Sequence, residues 1–272
     1  MNKWNEPDYV QVISDVEKNK EFNLLIDGCR VHAKLDLPAG DDQKYPLLLV
    51  IHGFTGHMEE RHITAVAQTA LETGYATLRV EMYGHGKSDG LFENHTLYKW
   101  LTQAMAVTDY AKGLDFVTDL YLTGHSQGGL TSILLAGLKP DSFKAIIPLS
   151  PANQILEGAR RGEILGLSFD PDHIPELLTS ENWYDGIRLN GNYARAAQTL
   201  HVEEAIKKYH GPVLLVHGDA DTEVPMECSV SAAKEYENAK LVLIPGDTHC
   251  YDHHLEMVTD AVRDFLKEQI SR

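Results

Sequence analysis

Leu120-Tyr121-Leu122-Thr123-Gly124-His125-Ser126-Gln127-Gly128-Gly129 is the stretch on which the fold turns. An apolar run ends in a glycine, a serine stands two places on, and a second glycine follows two places later. That pattern reads as a strand, a sharp turn and a helix, with the serine on the turn. The glycines are needed because a side chain at either place would collide with the neighbouring strand or helix. The serine is then held in a strained backbone conformation that pushes its hydroxyl outward. Helical composition continues through Leu130-Thr131-Ser132-Ile133-Leu134-Leu135-Ala136, as that reading requires.

Upstream, Pro46-Leu47-Leu48-Leu49-Val50-Ile51-His52-Gly53 is an apolar run stopped by glycine, as expected of a strand covered on both faces. Before it, residues 22–37 alternate around Asp27-Gly28, an antiparallel hairpin signal. Helix composition over 60–73 and 97–114 flanks a strand at 75–80. The strand at 119–123 leads into Ser126, another follows at 145–150, then strands at 212–217 and 240–244 and a helix over 253–270. Short apolar strands alternating with helices predict an α/β fold: a mostly parallel sheet with helices on both faces. From about Pro151 to His210 this rhythm breaks, and the aromatics Phe169, Trp183, Tyr184, Tyr193 and Tyr209 gather. A structureless loop of that length is improbable in a compact domain. The expectation is therefore a core of 1–150 and 211–272, with 151–210 inserted as a cap over the carboxyl ends of the strands, where open α/β sheets bind ligands.

With 272 residues, 43% apolar and 24% charged, the chain has the composition of a soluble globular protein. A net charge of −16 argues against nucleic acid and anionic membranes as partners. Three scattered cysteines, Cys29, Cys228 and Cys250, suit free thiols in a reducing compartment. The first residues, Met1 to Asp8, lack the apolar stretch of a signal peptide, so a cytoplasmic location is expected.

A serine hydroxyl is a weak nucleophile near neutral pH and needs a base that is itself oriented by an acid. Placement, among 14 histidines, selects His249, just after the last strand in Gly246-Asp247-Thr248-His249. His253 and His254 are set aside as residues of the following helix. The loop after the preceding strand, Gly218-Asp219-Ala220-Asp221-Thr222-Glu223-Val224, offers three acids: Asp219, Asp221 and Glu223. Negative charge developing on an acyl oxygen calls for two preorganised backbone N–H groups. Gln127, directly after the serine, and Phe54, in His52-Gly53-Phe54-Thr55-Gly56, are the candidates for this oxyanion hole. A metal reading of the residues from His249 to His254 lacks a coherent ligand set, so no metal is expected. Gly84-His85-Gly86-Lys87-Ser88 imitates the end of a phosphate-binding loop, but Glu81 stands where its first glycine belongs.

Taken together, the chain resembles the serine α/β-hydrolases along nearly its whole length, with the acid, base and nucleophile in the order serine, aspartate, histidine. The motifs that carry the likeness are His-Gly-Phe-Thr-Gly, Tyr-Gly-His-Gly-Lys-Ser-Asp-Gly, Gly-His-Ser-Gln-Gly-Gly, Gly-Asp-Ala-Asp-Thr-Glu-Val-Pro and Asp-Thr-His-Cys-Tyr. The resemblance places the acid three residues before Val224, at Asp221. More closely, it is similar to bacterial cinnamoyl (feruloyl) esterases, through Gly-His-Ser-Gln-Gly-Gly, Asp170-Pro171-Asp172-His173-Ile174-Pro175 and Asn192-Tyr193-Ala194-Arg195. This implies a small-molecule substrate, an ester between a hydroxycinnamic acid and an alcohol or sugar, hydrolysed without a cofactor and often by a homodimer. Some of those relatives contact the ring hydroxyls with a cap aspartate, glutamine and tyrosine. Counting from Ser126 places Gly158, Leu165 and Tyr193 there, so only the tyrosine is kept and discrimination for ring hydroxyls should weaken. The same motifs leave room for a monoglyceride lipase-like enzyme, a short-chain carboxylesterase or thioesterase, or a binding protein that has abandoned catalysis.

Overall fold

The computed structural model describes residues 10–12, 20–39, 44–179 and 186–270. The N-terminal residues read above, and Trp183 and Tyr184, lie outside them. The chain opens with β1 (Val10–Val12), β2 (Lys20–Ile26) and β3 (Cys29–Asp36), then β4 (Tyr45–Ile51), α1 (Arg61–Glu72) and β5 (Ala76–Val80). α2 (Leu97–Lys112) leads to β6 (Val117–His125), α3 (Gln127–Leu138) and β7 (Ala145–Leu149). The expected hairpin is present: Ile26 pairs with Cys29, and the turn residues Asp27 and Gly28 have φ of 49° and 74°. Two successive left-handed residues match the right-handed twist of the flanking strands, which Asp-Gly accommodates at low cost.

After β7 come α4 (Gln154–Arg161), β8 (Glu163–Ile164), β9 (Leu167–Ser168), β10 (Leu177–Thr179), β11 (Arg188–Asn190), α5 (Asn192–Thr199) and α6 (Val202–Lys208). β8 and β9 form one small antiparallel pair, and β10 and β11 another. α6 packs on α3, where Gly137 lies directly against Ala205. The chain closes with β12 (Val213–Gly218), α7 (Glu227–Glu235), β13 (Ala239–Ile244) and α8 (Leu255–Ile270).

The main sheet runs β1-β2-β3-β5-β4-β6-β7-β12-β13, antiparallel through β3 and its pairing with β5, parallel from β5 to β13. It is buried on both faces, which is why its central strands read as unbroken apolar runs. Along β4, Leu47, Leu49 and Ile51 join the cluster holding α2 and α3, while Leu48 and Val50 join the cluster holding α1 and α8. The period of two thus distributes one strand between two cores. Strand order reverses at β4: the chain steps from β4 out to β5, then back across to β6. A crevice at the carboxyl ends of β4 and β6 follows from that switch.

Candidate active site

Ser126 is the single residue between β6 and α3, with φ 57° and ψ −118°. A non-glycine residue there costs about 1–3 kcal/mol, so the surrounding structure must hold it. It does so through the backbone: Ser126 N–H donates to Leu149 O at 2.9 Å, and Ser126 O accepts from Leu130 N–H at 3.0 Å and Ala152 N–H at 3.1 Å. The glycine requirement is physical. A Cβ on Gly124 would run into the backbone of Gly128, and one on Gly128 into the carbonyls of Ile51 and His52.

Asp221, in the loop after β12, and His249, in the loop after β13, meet at 2.6 Å between Oδ2 and Nδ1. The Asp221 carboxylate is fully buried, and its Oδ1 accepts the N–H groups of Glu223 and Val224, each at 2.9 Å. Burial alone would push its pKa up, but the hydrogen bonds from His217 and His249 outweigh burial and hold it well below the usual carboxylate range. With Nδ1 committed to the carboxylate, Nε2 of His249 is the ring atom left to exchange protons. Asp219 is spent elsewhere: its Oδ1 accepts Gly246 N–H at 2.6 Å, tying the two loops together. Glu223 is exposed on the rim.

His253 and His254 differ from expectation in one respect. α8 begins at Leu255, so both lie in the turn before it rather than inside the helix. The cause is Asp247, fully buried, whose carboxylate accepts His253 N–H at 3.1 Å and His254 N–H at 2.9 Å and so fixes a non-helical entry. Glu81 likewise explains the loop from Gly84 to Gly90: Lys87 N–H donates to its carboxylate at 2.5 Å, where a phosphate loop would point amides at a phosphate. Among the described residues no group of three or more His, Cys, Asp or Glu is placed to hold a metal ion.

Ser126 and His249 line one cavity of about 310 Å³, together with Gly53, Phe54, Ile155 and Leu165. A Cβ on Gly53 would stand only 3.3 Å from Ser126 Cβ, so the loop after β4 abuts the Ser126 turn. Gln127 opens α3, where the first amides have no acceptor within the helix. The peptide joining Gly53 to Phe54 is held from behind: His52 Nδ1 donates to Gly53 O at 2.7 Å, and His52 Nε2 accepts Met82 N–H at 3.0 Å. Burial, and then neighbouring His85, push the His52 imidazole well below its ordinary pKa, which keeps this one-proton arrangement. Because the peptide is trans, the Phe54 N–H points away from that anchored carbonyl. Leu165 reaches the cavity from the β8–β9 turn with φ 50°. Gly158 is packed against backbone, since a Cβ there would lie 2.6 Å from Glu163 O. Tyr193 is fully buried and donates its hydroxyl to Gln127 Oε1 at 2.6 Å.

Three further histidines were not singled out by sequence reasoning. His52 is described above. His125 Nε2 donates to the backbone O of His249 at 2.8 Å, linking the Ser126 turn to the loop of His249. His217 Nε2 lies 3.0 Å from Val224 O and 3.2 Å from Asp221 Oδ2, and Ser229 Oγ lies 2.7 Å from its Nδ1. Two oxygen acceptors at Nε2 place its proton there, so His217 is a second donor to the acid. The signal in the sequence was a histidine at the end of three of the apolar strands, at positions 52, 125 and 217.

A family model described as serine aminopeptidase, S33, matches residues 42–182, and one described as TAP-like protein matches residues 190–269. The chain belongs to the α/β-hydrolase family. A structure of Est1E from Butyrivibrio proteoclasticus with ferulic acid bound is 60% identical to this hydrolase, with TM-score 0.88, over 90% of this chain and 98% of that one. The mouse alpha/beta hydrolase domain-containing protein 10 shares the fold, with TM-score 0.73 at 18% identity over 95% and 98% of the two chains. Human palmitoyl-protein thioesterase ABHD10 is 25% identical over 200 residues, 70% of this chain and 61% of that protein. Human protein ABHD12B is 24% identical over 239 residues, 83% and 62% respectively. The hydrolase thus spans about three fifths of the length of those two curated relatives. Among its described residues no helix is long and apolar enough to cross a membrane.

Proposed function

We propose that this hydrolase is a serine carboxylic ester hydrolase that releases hydroxycinnamic acids from their esters: a cinnamoyl (feruloyl) esterase acting through an acyl-enzyme. Ser126 Oγ attacks the ester carbonyl while His249 Nε2 takes its proton, and Asp221 steadies the resulting imidazolium through Nδ1. The amides of Gln127 and Phe54 receive the oxyanion. His249 returns the proton to the leaving alcohol, then draws one from a water that attacks the acyl carbon and restores Ser126. The observation that carries this reading is the 2.6 Å Asp221–His249 pair opening into the same cavity as the strained Ser126.

The likeness to Est1E supports an aromatic acyl group, and Phe54, Ile155, Leu165 and Val224 give the cavity apolar wall for it. Glu60, Glu223 and Asp252 line the same cavity, which no lysine or arginine among the described residues joins. A neutral ester enters such a site freely, and the carboxylate product meets like charge and leaves. The likeness to ABHD10 supports a second reading, a long-chain acyl ester or thioester hydrolase. A cytoplasmic location rests on three thiols free of disulfides, Cys29, Cys228 and Cys250. Assembly as a homodimer belongs to the same reading and is read directly by sedimentation.

A fluorophosphonate probe should label the wild-type protein and not Ser126→Ala, and His249→Ala should lower ester turnover by roughly 10³-fold or more. Labelling that survives in Ser126→Ala would remove the nucleophile assignment. On a panel of methyl hydroxycinnamates and p-nitrophenyl alkanoates, kcat/KM should favour the former. A preference for long alkanoates would select the second reading instead.

A further inference from the structure

Gln127 supplies an oxyanion-hole amide in the reading above, and the inference here rests on that reading. Its side chain is fully buried and turns away from the cavity into a cluster of aromatic rings. There it accepts the hydroxyl of Tyr193, a residue of α5 that is 66 positions away and itself fully buried, at 2.6 Å. The Tyr193 ring also meets the Phe54 ring edge-on, 5.8 Å between centroids at 78°, and the His95 ring at 5.2 Å. His95 in turn stands 5.2 Å from Phe54. One tyrosine from the segment between β7 and β12 therefore touches both residues whose amides form the hole.

A second observation concerns the other end of the Gln127 amide. Gln127 Nε2 and His95 Nε2 are each buried without a hydrogen-bond partner, and the Gln127 side chain is among the groups acting on the His95 ring. His95 Nδ1 donates to Phe92 O at 2.6 Å. Burial, followed by His85, pushes the His95 pKa down to about 3, so the ring carries that single proton and Nε2 is an acceptor. The Gln127 amide is thus fixed at Oε1 by Tyr193, while its Nε2 is buried without a partner.

We propose that Tyr193 is a positioning residue for the oxyanion hole, fixing the Gln127 side chain and the Phe54 ring and thereby both backbone donors. The carbonyl of the Ser126–Gln127 peptide is anchored by Leu130 N–H and Ala152 N–H, and the Gln127 side chain, tied to Tyr193, steadies the same peptide from its other end. Oxyanion stabilisation depends on donors already in place when charge develops. Through Tyr193 the segment between β7 and β12 thus governs the rate of acyl transfer for any acyl group, including one too small to touch it. Removing the tyrosine hydroxyl leaves Gln127 Oε1 buried and unpaired, and the amide turns to find another donor.

The test compares wild type, Tyr193→Phe, Gln127→Leu and the double variant on p-nitrophenyl acetate and methyl ferulate. Affinity for a phenylboronic acid, which mimics the tetrahedral adduct on Ser126, is measured beside them. Tyr193→Phe should lower kcat roughly ten- to a hundredfold on both esters, with KM little changed and boronate affinity falling in proportion. The double variant should be no slower than the slower single one, because both remove the same link. Gln127→Leu probes the link from the other side, so the question remains answerable should Tyr193→Phe not fold. A loss confined to methyl ferulate would make Tyr193 a substrate contact and overturn the proposal. So would additive losses in the double variant, or a lower melting temperature with boronate affinity intact. Wild-type protein that neither labels with fluorophosphonate nor hydrolyses acetate would instead remove the serine-hydrolase reading itself.

Discussion

The strand ends that carry Ser126, Asp221 and His249 and the segment from 151 to 210 are built on opposite terms. Around the strand ends, His52, His62, His85, His95 and His125 are all buried. In the segment, the side chains of His173, His201 and His210 are 84%, 45% and 64% exposed. The strand-end residues are held by buried backbone partners: Leu149 O for Ser126, His249 O for His125, Gly53 O for His52. The segment has two-stranded pairs of two or three residues and short helices. In the proposed reading, chemistry sits where each group is fixed by several others, and shape selection sits where a turn or a side chain can change without unseating the rest. Each experiment below breaks or sharpens that contrast.

The largest expected effect is on the strand ends, through acid. Burial is the first cause lowering the pKa of each of the five histidines, with His62 brought to about 4 and His95 to about 3. The folded-state pKa values lie below the unfolded value of about 6.5, so below that pH the unfolded chain binds more protons. Stability is then complete above about pH 6.5 and is lost as pH falls toward the folded values. Each histidine contributes a slope of about 1.4 kcal/mol per pH unit within its own window. Calorimetry should show the melting temperature dropping steeply between pH 6.5 and 5, with an uptake of several protons on unfolding. A flat melting temperature over that range would mean that these rings are not held neutral, and the contrast would fail.

A smaller effect is expected from placing an aspartate where some feruloyl esterases carry one. Gly158→Asp puts a Cβ 2.6 Å from Glu163 O, a backbone atom of β8. Overpacking of this kind costs roughly 1–3 kcal/mol. Differential scanning should show a melting point lower by several degrees, and the caffeate-to-cinnamate ratio of kcat/KM should not rise. A stable variant that gains selectivity would show the segment to be more yielding than its packing indicates.

The same contrast explains what could be read from the sequence. The parallel strands were legible because both-face burial writes itself as apolar runs, and Gly124 and Gly128 because backbone contact admits nothing larger. Helices α1, α2 and α3 and the Asp27-Gly28 hairpin were legible for equally local reasons. β8 to β11 were not: two or three residues are too few to display a period of two. The start of α8 was misplaced by two residues because its determinant, Asp247, acts from outside the apolar pattern. His217 was invisible as a partner of Asp221 because a buried histidine ending a strand looks the same whether it fills space or donates to a carboxylate. Pairing across distant loops leaves no local pattern in a single chain.

The smallest effect is expected at Leu165, and its sign is the informative part. Leu165 and Gly166 form the β8–β9 turn with φ of 50° and 83°, both left-handed. Such a turn favours Asn-Gly, and leucine in the left-handed region costs about 1–2 kcal/mol relative to a residue that tolerates it. The Leu165 side chain lines the cavity beside Ile155. Leu165→Asn should therefore raise stability by about 1 kcal/mol, read as a melting point higher by a few degrees. In the same variant, the amide set against the acyl pocket should raise kcat/KM for caffeate relative to cinnamate several-fold, since a buried polar group penalises the ring that cannot satisfy it. Stability and selectivity then move together at one turn, without touching Ser126, Asp221 or His249. A destabilised Leu165→Asn with unchanged selectivity would mean that the turn is fixed by its packing, as the strand ends are, and the distinction between the two regions would not extend to the residues lining the cavity.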